Sequence, residues 1–153
     1  MSPSDTSPIL LCYDRSDGAR RAIEVAGALF PGRKAVVLHV WSPVAAIAAA
    51  YGGLTQLPDY DESALERVAR EVADEGAGVA RAAGLDATGA IAEGTYEGTW
   101  HAIVAAGKQH GADLIAIGAR GLSTFKSFVL GSVSHGVAQH SHVPVLIVPP
   151  AAD

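Results

Sequence analysis

The sequence has little of what would mark a disulfide-rich, secreted or membrane protein. Only one of its 153 residues, Cys12, is a cysteine, which excludes an internal disulfide and a multi-cysteine metal site. No run is long and apolar enough to span a bilayer, and residues 1–8 lack the basic start and apolar core of a signal peptide. We therefore expect a cytoplasmic protein with a flexible N-terminal tail at 1–8 and no membrane association.

Clustered positive charge is also missing. Eleven Lys and Arg residues stand against 16 Asp and Glu residues, which gives a formal net charge of −5, and no basic run is present. Because nucleic-acid backbones are bound by clustered basic side chains, this composition argues against a nucleic-acid partner. Any phosphate that the chain binds must be held by a few local groups.

Apolar residues make up 49% of the chain and charged residues 18%, enough for the core of one domain at 9–150. Short apolar runs predict strands buried on both faces, and apolar residues three and four apart predict helices. The strands are predicted at 9–13, 35–41, 87–92, 114–117 and 145–148, and the helices at 19–30, 62–83, 99–110 and 132–140. Five strands alternating with four helices predict an α/β fold with a parallel sheet covered on both faces.

The apolar stripes also predict which helix faces pack on the sheet. The first helix is expected to bury Ala22, Ile23, Ala26, Leu29 and Phe30. The second is expected to bury Leu65, Val68, Ala69, Val72 and Val79. Gly111 is expected to end the third helix, Ser132 to cap the fourth, and the Pro- and Gly-rich segment 42–61 to form a loop near the site.

The fourth strand runs into a glycine-rich segment with the pattern Gly118-x-x-Gly121-x9-Gly131-Ser132. Ligands of open parallel sheets bind at the carboxyl ends of the strands. Glycines let backbone N–H groups approach an anion, and a helix N-terminus adds free donors and a partial positive charge. The segment therefore predicts phosphate binding, although a tight turn and a helix start would explain the same glycines. Neither G-x-G-x-x-G nor a Walker A loop is present.

Together with the first strand ending at Asp14 and the strand at 37–40, this glycine pattern resembles the ATP-binding branch of the universal stress protein family. The resemblance covers about 9–149. It implies a Rossmann-like, adenine nucleotide alpha hydrolase-like open sheet of order 3-2-1-4-5. It also implies a homodimer paired through the strand at 144–148, and ATP lying across the ends of strands one and four, with Mg²⁺ bound through the phosphates.

The resemblance assigns the base and ribose to the ends of the first two strands. Asp14 would meet the ribose or adenine, its alternative role being the cap of the first helix, and the main chain of Val40 would read the adenine edge. Cys12 and Tyr13, which precede Asp14, belong to the same predicted site, although Cys12 also reads as a small buried strand residue. Tyr13 departs from the smaller residues frequent in the family and is expected to crowd or stack on the base.

The phosphates are assigned to the glycine-rich segment. Gly118 and Gly121 would cradle the ribose and phosphates, and Gly131 would permit close approach. The amides and hydroxyls at Ser132, Val133 and Ser134 would bind phosphate oxygens. Arg120 or Lys126 would neutralise the charge, with Arg120 preferred.

The predicted function is a dimeric ATP-binding regulatory module of the stress response, with no catalytic residue. The segment 118–132 contains no Asp or Glu to hold Mg²⁺ or to position water. The histidines lack metal-ligand spacing, and no G-x-S-x-G elbow is present. Two alternatives stay open: a slow ATP hydrolase that uses Asp14, Asp17 or Glu93, and a nucleotide-free dimeric interaction protein paired through the edge strand at 144–148.

Overall fold

The computed structural model describes residues 7–43, 61–120 and 130–151. Its strands are β1 (Ile9–Cys12), β2 (Lys34–Trp41), β3 (Asp86–Glu93), β4 (Leu114–Gly118) and β5 (Val145–Val148). Its helices are α1 (Asp17–Leu29), α2 (Glu62–Ala82), α3 (Thr99–Gln109) and α4 (Ser132–His140). Every predicted strand and helix is therefore confirmed, with ends within two residues of the prediction. Most of the predicted loop at 42–61 and of the predicted tail at 1–8 lies outside the described residues.

The strands form one five-stranded sheet in the order β3-β2-β1-β4-β5, and every neighbouring pair is parallel. This confirms the predicted order. The chain winds outward from β1 through β2 to β3 and then crosses to the other side of β1 to form β4. Because the winding direction reverses between β1 and β4, a crevice opens at their carboxyl ends.

Two apolar layers cover the sheet, one on each face. Successive strand residues point to opposite faces, so Leu10 and Leu11, both fully buried, belong to different layers. Leu11 packs in the cluster that includes Ile23 of α1 and Ala77 of α2. Leu10 packs in the cluster that includes Ile103 of α3 and Val137 of α4. The crevice therefore has α1 and α2 on one side of the sheet and α3 and α4 on the other.

The buried face of α2 differs from the predicted stripe. It consists of small residues: Ala69, Val72, Ala73, Gly76, Ala77 and Ala80. Val68 lies to the side of this stripe and is 52% exposed, so its predicted burial is wrong, as is that of Leu29, which is 57% exposed. The helix approaches the sheet so closely that a Cβ on Gly76 would lie 2.6 Å from the ring of Tyr13. Large side chains have no room on such a face.

The predicted end of α3 at Gly111 is confirmed. Gly111 has a φ of 66°, which glycine adopts without strain. Its N–H donates to the carbonyl of Lys108, and the N–H of Ala112 donates to the carbonyl of Gly107. This pair of bonds satisfies the last carbonyls of a helix. Within the described ranges, no helix is long and apolar enough to cross a membrane.

Candidate functional site

A cleft with a volume of about 270 Å³ opens at the carboxyl ends of β1 and β4. Every predicted site residue that the structure describes lines it. These are Cys12, Tyr13, Asp14, Val40, Gly118, Arg120, Gly131, Ser132, Val133 and Ser134. Gly121 and Lys126 lie outside the described residues. The cleft is where the reversal of strand order places a ligand site.

The start of α4 forms one end of the cleft. Gly131 is the N-cap residue, with extended backbone (φ −63°, ψ 161°), and no side chain of a described residue caps the helix. The first bond of the helix runs from the N–H of His135 to the carbonyl of Gly131 at 2.9 Å. The N–H groups of Ser132, Val133 and Ser134 precede it and have no carbonyl partner within the helix. Such amides, together with the positive end of the helix dipole, suit an anion.

The prediction that Ser132 caps α4 is therefore wrong. Gly131 already has the extended backbone of a cap residue, so Ser132 becomes the first helical residue, and its side chain is exposed. The expected hydroxyl donor at Ser134 is also engaged elsewhere. That hydroxyl is buried and donates to the carbonyls of Ala119 at 2.8 Å and Gly131 at 3.0 Å. Ser134 can therefore donate to a phosphate only through its main chain, while its side chain holds α4 against the end of β4.

Arg120 contributes a cation to the same end of the cleft. Its Nη1 atom is buried and has no hydrogen-bond partner among the described residues. Leaving a buried charged donor unpaired is unfavourable, because the group has lost water without gaining a partner. A ligand oxygen in the cleft would supply that partner.

Gly118 lines the cleft, but it is a glycine because α1 packs against it and not, as predicted, to make room for the ribose and phosphates. A Cβ on Gly118 would lie 2.8 Å from the carbonyl oxygen of Gly18, and a Cβ on Gly18 would lie 2.5 Å from that of Arg120. These distances are too short for real atoms. The first turn of α1 therefore packs directly on the backbone at the end of β4, and the glycines at both positions are needed for that approach.

Asp14 is held at the cleft by its own loop. Its Oδ1 atom accepts from the N–H of Ser16 at 3.0 Å, and Ser16 in turn caps α1 by accepting from the N–H of Ala19 at 3.1 Å. The alternative role of Asp14 as the helix cap is therefore wrong. Within the described ranges, no protein hydrogen bond engages its Oδ2 atom. Asp14 thus presents to the cleft a carboxylate whose Oδ1 is held by the loop and whose Oδ2 can accept from a ligand.

Tyr13 does not place its ring in the cleft. The ring is 2% exposed, packs with α1 and α2 on the other face of the sheet, and donates through its hydroxyl to Glu75 Oε1 at 3.1 Å. Burial raises the pKa of Tyr13, and the hydrogen bond to Glu75 raises it further. The expectation that Tyr13 crowds or stacks on the base is therefore wrong. Its main chain remains at the cleft.

Cys12 forms part of the apolar wall. Because side chains alternate along β1, Cys12 faces the α3 and α4 side while its neighbours face α1 and α2. Burial raises the pKa of its thiol to about 12, and the negative charge of Asp14 raises it as well. Only the neutral thiol is present at physiological pH, so this side chain packs rather than reacts.

Val40 presents main-chain groups beyond the end of β1. Cys12 is opposite Leu38 in the register of β1 and β2, and the next contact is the bond from the N–H of Tyr13 to the carbonyl of Leu38 at 2.9 Å. Main-chain groups of a strand point alternately to its two neighbours. The N–H and C=O of Val40 therefore point to the same side as those of Leu38, toward β1. At the level of Val40, β1 has already ended. A planar ligand edge could pair with them there.

Sequence reasoning missed seven residues that line the cleft: Ser16, Ala19, Leu38, His39, Thr99, Ile103 and Ile117. His39 is the most informative of them, since its Nδ1 lies 2.9 Å from the carbonyl oxygen of Tyr13. A carbonyl only accepts, so Nδ1 carries the proton and Nε2 is the second ring nitrogen available to a partner. Thr99 could have been found by applying to β3 the strand-end rule applied to β1 and β4.

A model of the universal stress protein family matches residues 6–149. The chain belongs to this family. It is 33% identical over 146 residues to universal stress protein YxiE of Bacillus subtilis (strain 168), which covers 92% of this chain and 97% of the relative. It is 37% identical over 144 residues to the Thermus aquaticus protein named universal stress protein in QAH/OAS sulfhydrylase 3'region, with 92% and 96% covered.

Solved structures share the fold. A universal stress protein crystallised in complex with cAMP superposes with a TM-score of 0.66 at 25% identity, covering 93% of this chain and 96% of that one. A universal stress protein family protein from Arabidopsis thaliana with AMP bound superposes with a TM-score of 0.60 at 16% identity, covering 96% and 94%. The second likeness concerns the fold alone. Both solved proteins were crystallised with an adenine nucleotide.

Proposed function

We propose that this universal stress protein binds ATP in the cleft and acts as a dimeric, nucleotide-dependent regulatory module of the stress response. The observation that carries the proposal joins two groups that have no partner among the described residues: the first amides of α4, which no side chain caps, and Nη1 of Arg120. Both need an anion at the same end of one cleft. The relative crystallised with cAMP supports an adenine nucleotide as the ligand class.

In this proposal the three parts of the nucleotide meet three parts of the cleft. The phosphates lie against the amides of Ser132, Val133 and Ser134 and the guanidinium of Arg120. The ribose hydroxyls donate to the carboxylate of Asp14. The adenine edge pairs with the main chain of Val40.

The cleft favours holding ATP over hydrolysing it. Of the three carboxylates considered above, only Asp14 lines the cleft; the described lining does not include Asp17 or Glu93. Asp14 is engaged by the N–H of Ser16 and lies at the ribose end in this arrangement. Mg²⁺ would then be bound through phosphate oxygens and water, as it is in many nucleotide complexes.

The proposed dimer pairs the outer edge of β5 with a second copy. Within the described ranges, β5 pairs only with β4, which leaves its other edge without a strand partner. Val145, Leu146 and Ile147 on this short strand are partly exposed. An apolar, unpaired edge favours association. Val145→Lys should therefore give a monomer by light scattering, and an unchanged dimer would contradict this pairing.

Titration calorimetry of nucleotide-stripped protein with ATP, ADP, AMP, cAMP and adenosine tests the ligand. We expect saturable heat with ATP and progressively weaker binding as phosphates are removed. Arg120→Gln should weaken ATP binding by about tenfold, as expected for a charge-assisted bond, and leave adenosine binding unchanged. Arg70→Gln, on the exposed face of α2, is the matched control. Absence of heat with every adenine nucleotide at millimolar concentration would refute the proposal.

A further inference from the structure

We propose that Glu75, on the face of the sheet opposite α3 and α4, is a positioning residue that orients Asp14 for the nucleotide by holding Arg15. The inference rests on the proposed function, because Asp14 is taken as the ribose ligand. It concerns a side chain that lies outside the cleft and contacts the residues on either side of Asp14.

Glu75 is the meeting point of three side chains from the end of β1 and the start of α1. Its Oε2 accepts from Arg15 Nε at 2.6 Å. Its Oε1 accepts from Arg20 Nη2 at 3.0 Å and from the hydroxyl of Tyr13 at 3.1 Å. The contacts span 55 to 62 residues of sequence. The carboxylate of Glu75 on α2 therefore links the residues on both sides of Asp14 to the helix.

Arg15 is the residue through which Glu75 acts. Among the residues that the structure describes, Arg15 is the one residue other than glycine that has a positive φ, which is 67°. A side chain in the left-handed region meets steric opposition from its own backbone, so this conformation persists only where surrounding contacts hold it. The short ion pair with Glu75 is such a contact, since the guanidinium of Arg15 is otherwise largely exposed.

The backbone of Arg15 sets the orientation of Asp14. The hydrogen bond from the N–H of Ser16 to Asp14 Oδ1 spans Arg15, and it forms only while the intervening residue keeps its turn conformation. If Arg15 relaxed to negative φ, Ser16 would move away from Asp14. The carboxylate would then lose its anchor at the cleft, and α1 would lose the geometry of its cap.

α2 provides a rigid base for this contact. Glu75 adjoins Gly76, whose backbone lies so close to the Tyr13 ring that a Cβ would be 2.6 Å from it. Arg20 also lies over that ring, with its guanidinium carbon 5.8 Å from the centroid. The hydrogen bond from Arg15 holds the pKa of Glu75 below its usual range, so the carboxylate is charged at neutral pH and both ion pairs are present.

Calorimetric titration with ATP and thermal unfolding, measured on the same variants, separate positioning from general stabilisation. Glu75→Ala should weaken ATP binding by about tenfold, because the left-handed conformation of Arg15 then has to be imposed by the ligand. The ion pairs of Glu75 are partly exposed and therefore contribute modestly to global stability, so the unfolding midpoint should fall by at most about 4 °C. Glu66→Ala, which removes the exposed ion pair with Arg70 on the same helix, should leave both quantities unchanged.

A rescue experiment tests the route through Arg15. Glycine adopts positive φ without strain, so the double variant Glu75→Ala with Arg15→Gly should bind ATP within about threefold of the wild type. The double variant with Arg15→Ala should stay weak. Loss of affinity that persists with glycine at position 15 would overturn the inference.

The outcomes also distinguish this inference from the proposed function. A wild type that binds no adenine nucleotide refutes the proposed function. A wild type that binds ATP, with Glu75→Ala binding equally well, refutes only the role of Glu75. If Glu75→Ala does not fold, Glu75→Met serves instead, because it keeps the bulk of the side chain but offers Arg15 neither a charge nor an oxygen acceptor. Wild-type affinity for ATP in that variant would equally refute the role of Glu75.

Discussion

Two glycines of the same motif should respond differently to alanine, because one faces α1 and the other faces the cleft. In Gly118→Ala the new methyl group would meet the Gly18 carbonyl oxygen at 2.8 Å and its carbon at 2.9 Å. Both are backbone atoms in the first turn of α1 and cannot rotate away. Overpacking of this kind costs about 1–3 kcal/mol, which is roughly 2–12 °C in the unfolding midpoint of a domain of this size.

In Gly131→Ala the nearest heavy atom to the new methyl group is the Ala119 carbonyl oxygen at 3.4 Å, and the backbone φ of −63° suits any residue. We expect a loss of no more than about 1 kcal/mol of stability without ligand, because alanine is a poorer N-cap residue than glycine. The methyl group would, however, narrow the cleft between the start of α4 and Arg120, where we place the phosphates. At one hundred times its Kd, ATP should stabilise the wild type by about 2.7 kcal/mol, and Gly131→Ala should lose most of that gain.

Thermal unfolding of wild type, Gly118→Ala and Gly131→Ala, each with and without ATP, measures all of these quantities. The wild type is its own control for the size of the ATP effect. A full ATP shift in Gly131→Ala would refute the phosphate position. A Gly118→Ala variant as stable as the wild type would refute the account of how α1 packs on β4.

Three further predictions concern Glu75, Gly76 and Cys12. The pKa of Glu75 is lower in the folded state, so its contribution to stability is present above its unfolded-state pKa and is lost as the pH falls through its folded-state pKa. The difference in unfolding midpoint between wild type and Glu75→Gln should therefore shrink on acidification. A difference that stays constant with pH would contradict this. Gly76→Ala should destabilise the fold by about 1–3 kcal/mol in urea unfolding, because the buried Tyr13 ring and Val37 leave no room for a methyl group; an unchanged midpoint would disprove that packing. Cys12 should react slowly with iodoacetamide at pH 8 in the native state and readily in urea, and equal rates would contradict the raised thiol pKa.

The strands, helices and their order were predictable because their signals are local or shared with a family. Valine-rich runs mark the buried strands, and helix-spaced alanines mark the helices between them. The position of the cleft follows from the same information, since strand-end residues of a parallel sheet converge where the order reverses. Asp14 and the residues from Gly131 to Ser134 were placed there by that rule and by the family resemblance.

The errors concern which neighbour a side chain meets. Leu29 and Val68 are apolar but fall beside the buried stripes of their helices, whose close approach to the sheet admits mainly small residues. Tyr13 follows β1 on the face that carries α1 and α2, so its ring packs there instead of in the cleft. The predicted cap of α4, Ser132, is one residue too late, because Gly131 has the extended backbone of a cap residue and Ser132 is already helical.

The sequence by itself determined where strands and helices begin and end, and which residues stand at the strand ends, since both depend on patterns within a few consecutive residues. Only the tertiary structure decided why Gly118 is a glycine, that Nη1 of Arg120 has no partner among the described residues, and that Glu75 pairs with Arg15. Gly18 and Gly118 are a hundred residues apart, and Arg15 and Glu75 are 60 apart. Such contacts depend on how the crossovers pack on the sheet, and no local pattern in the sequence records that packing.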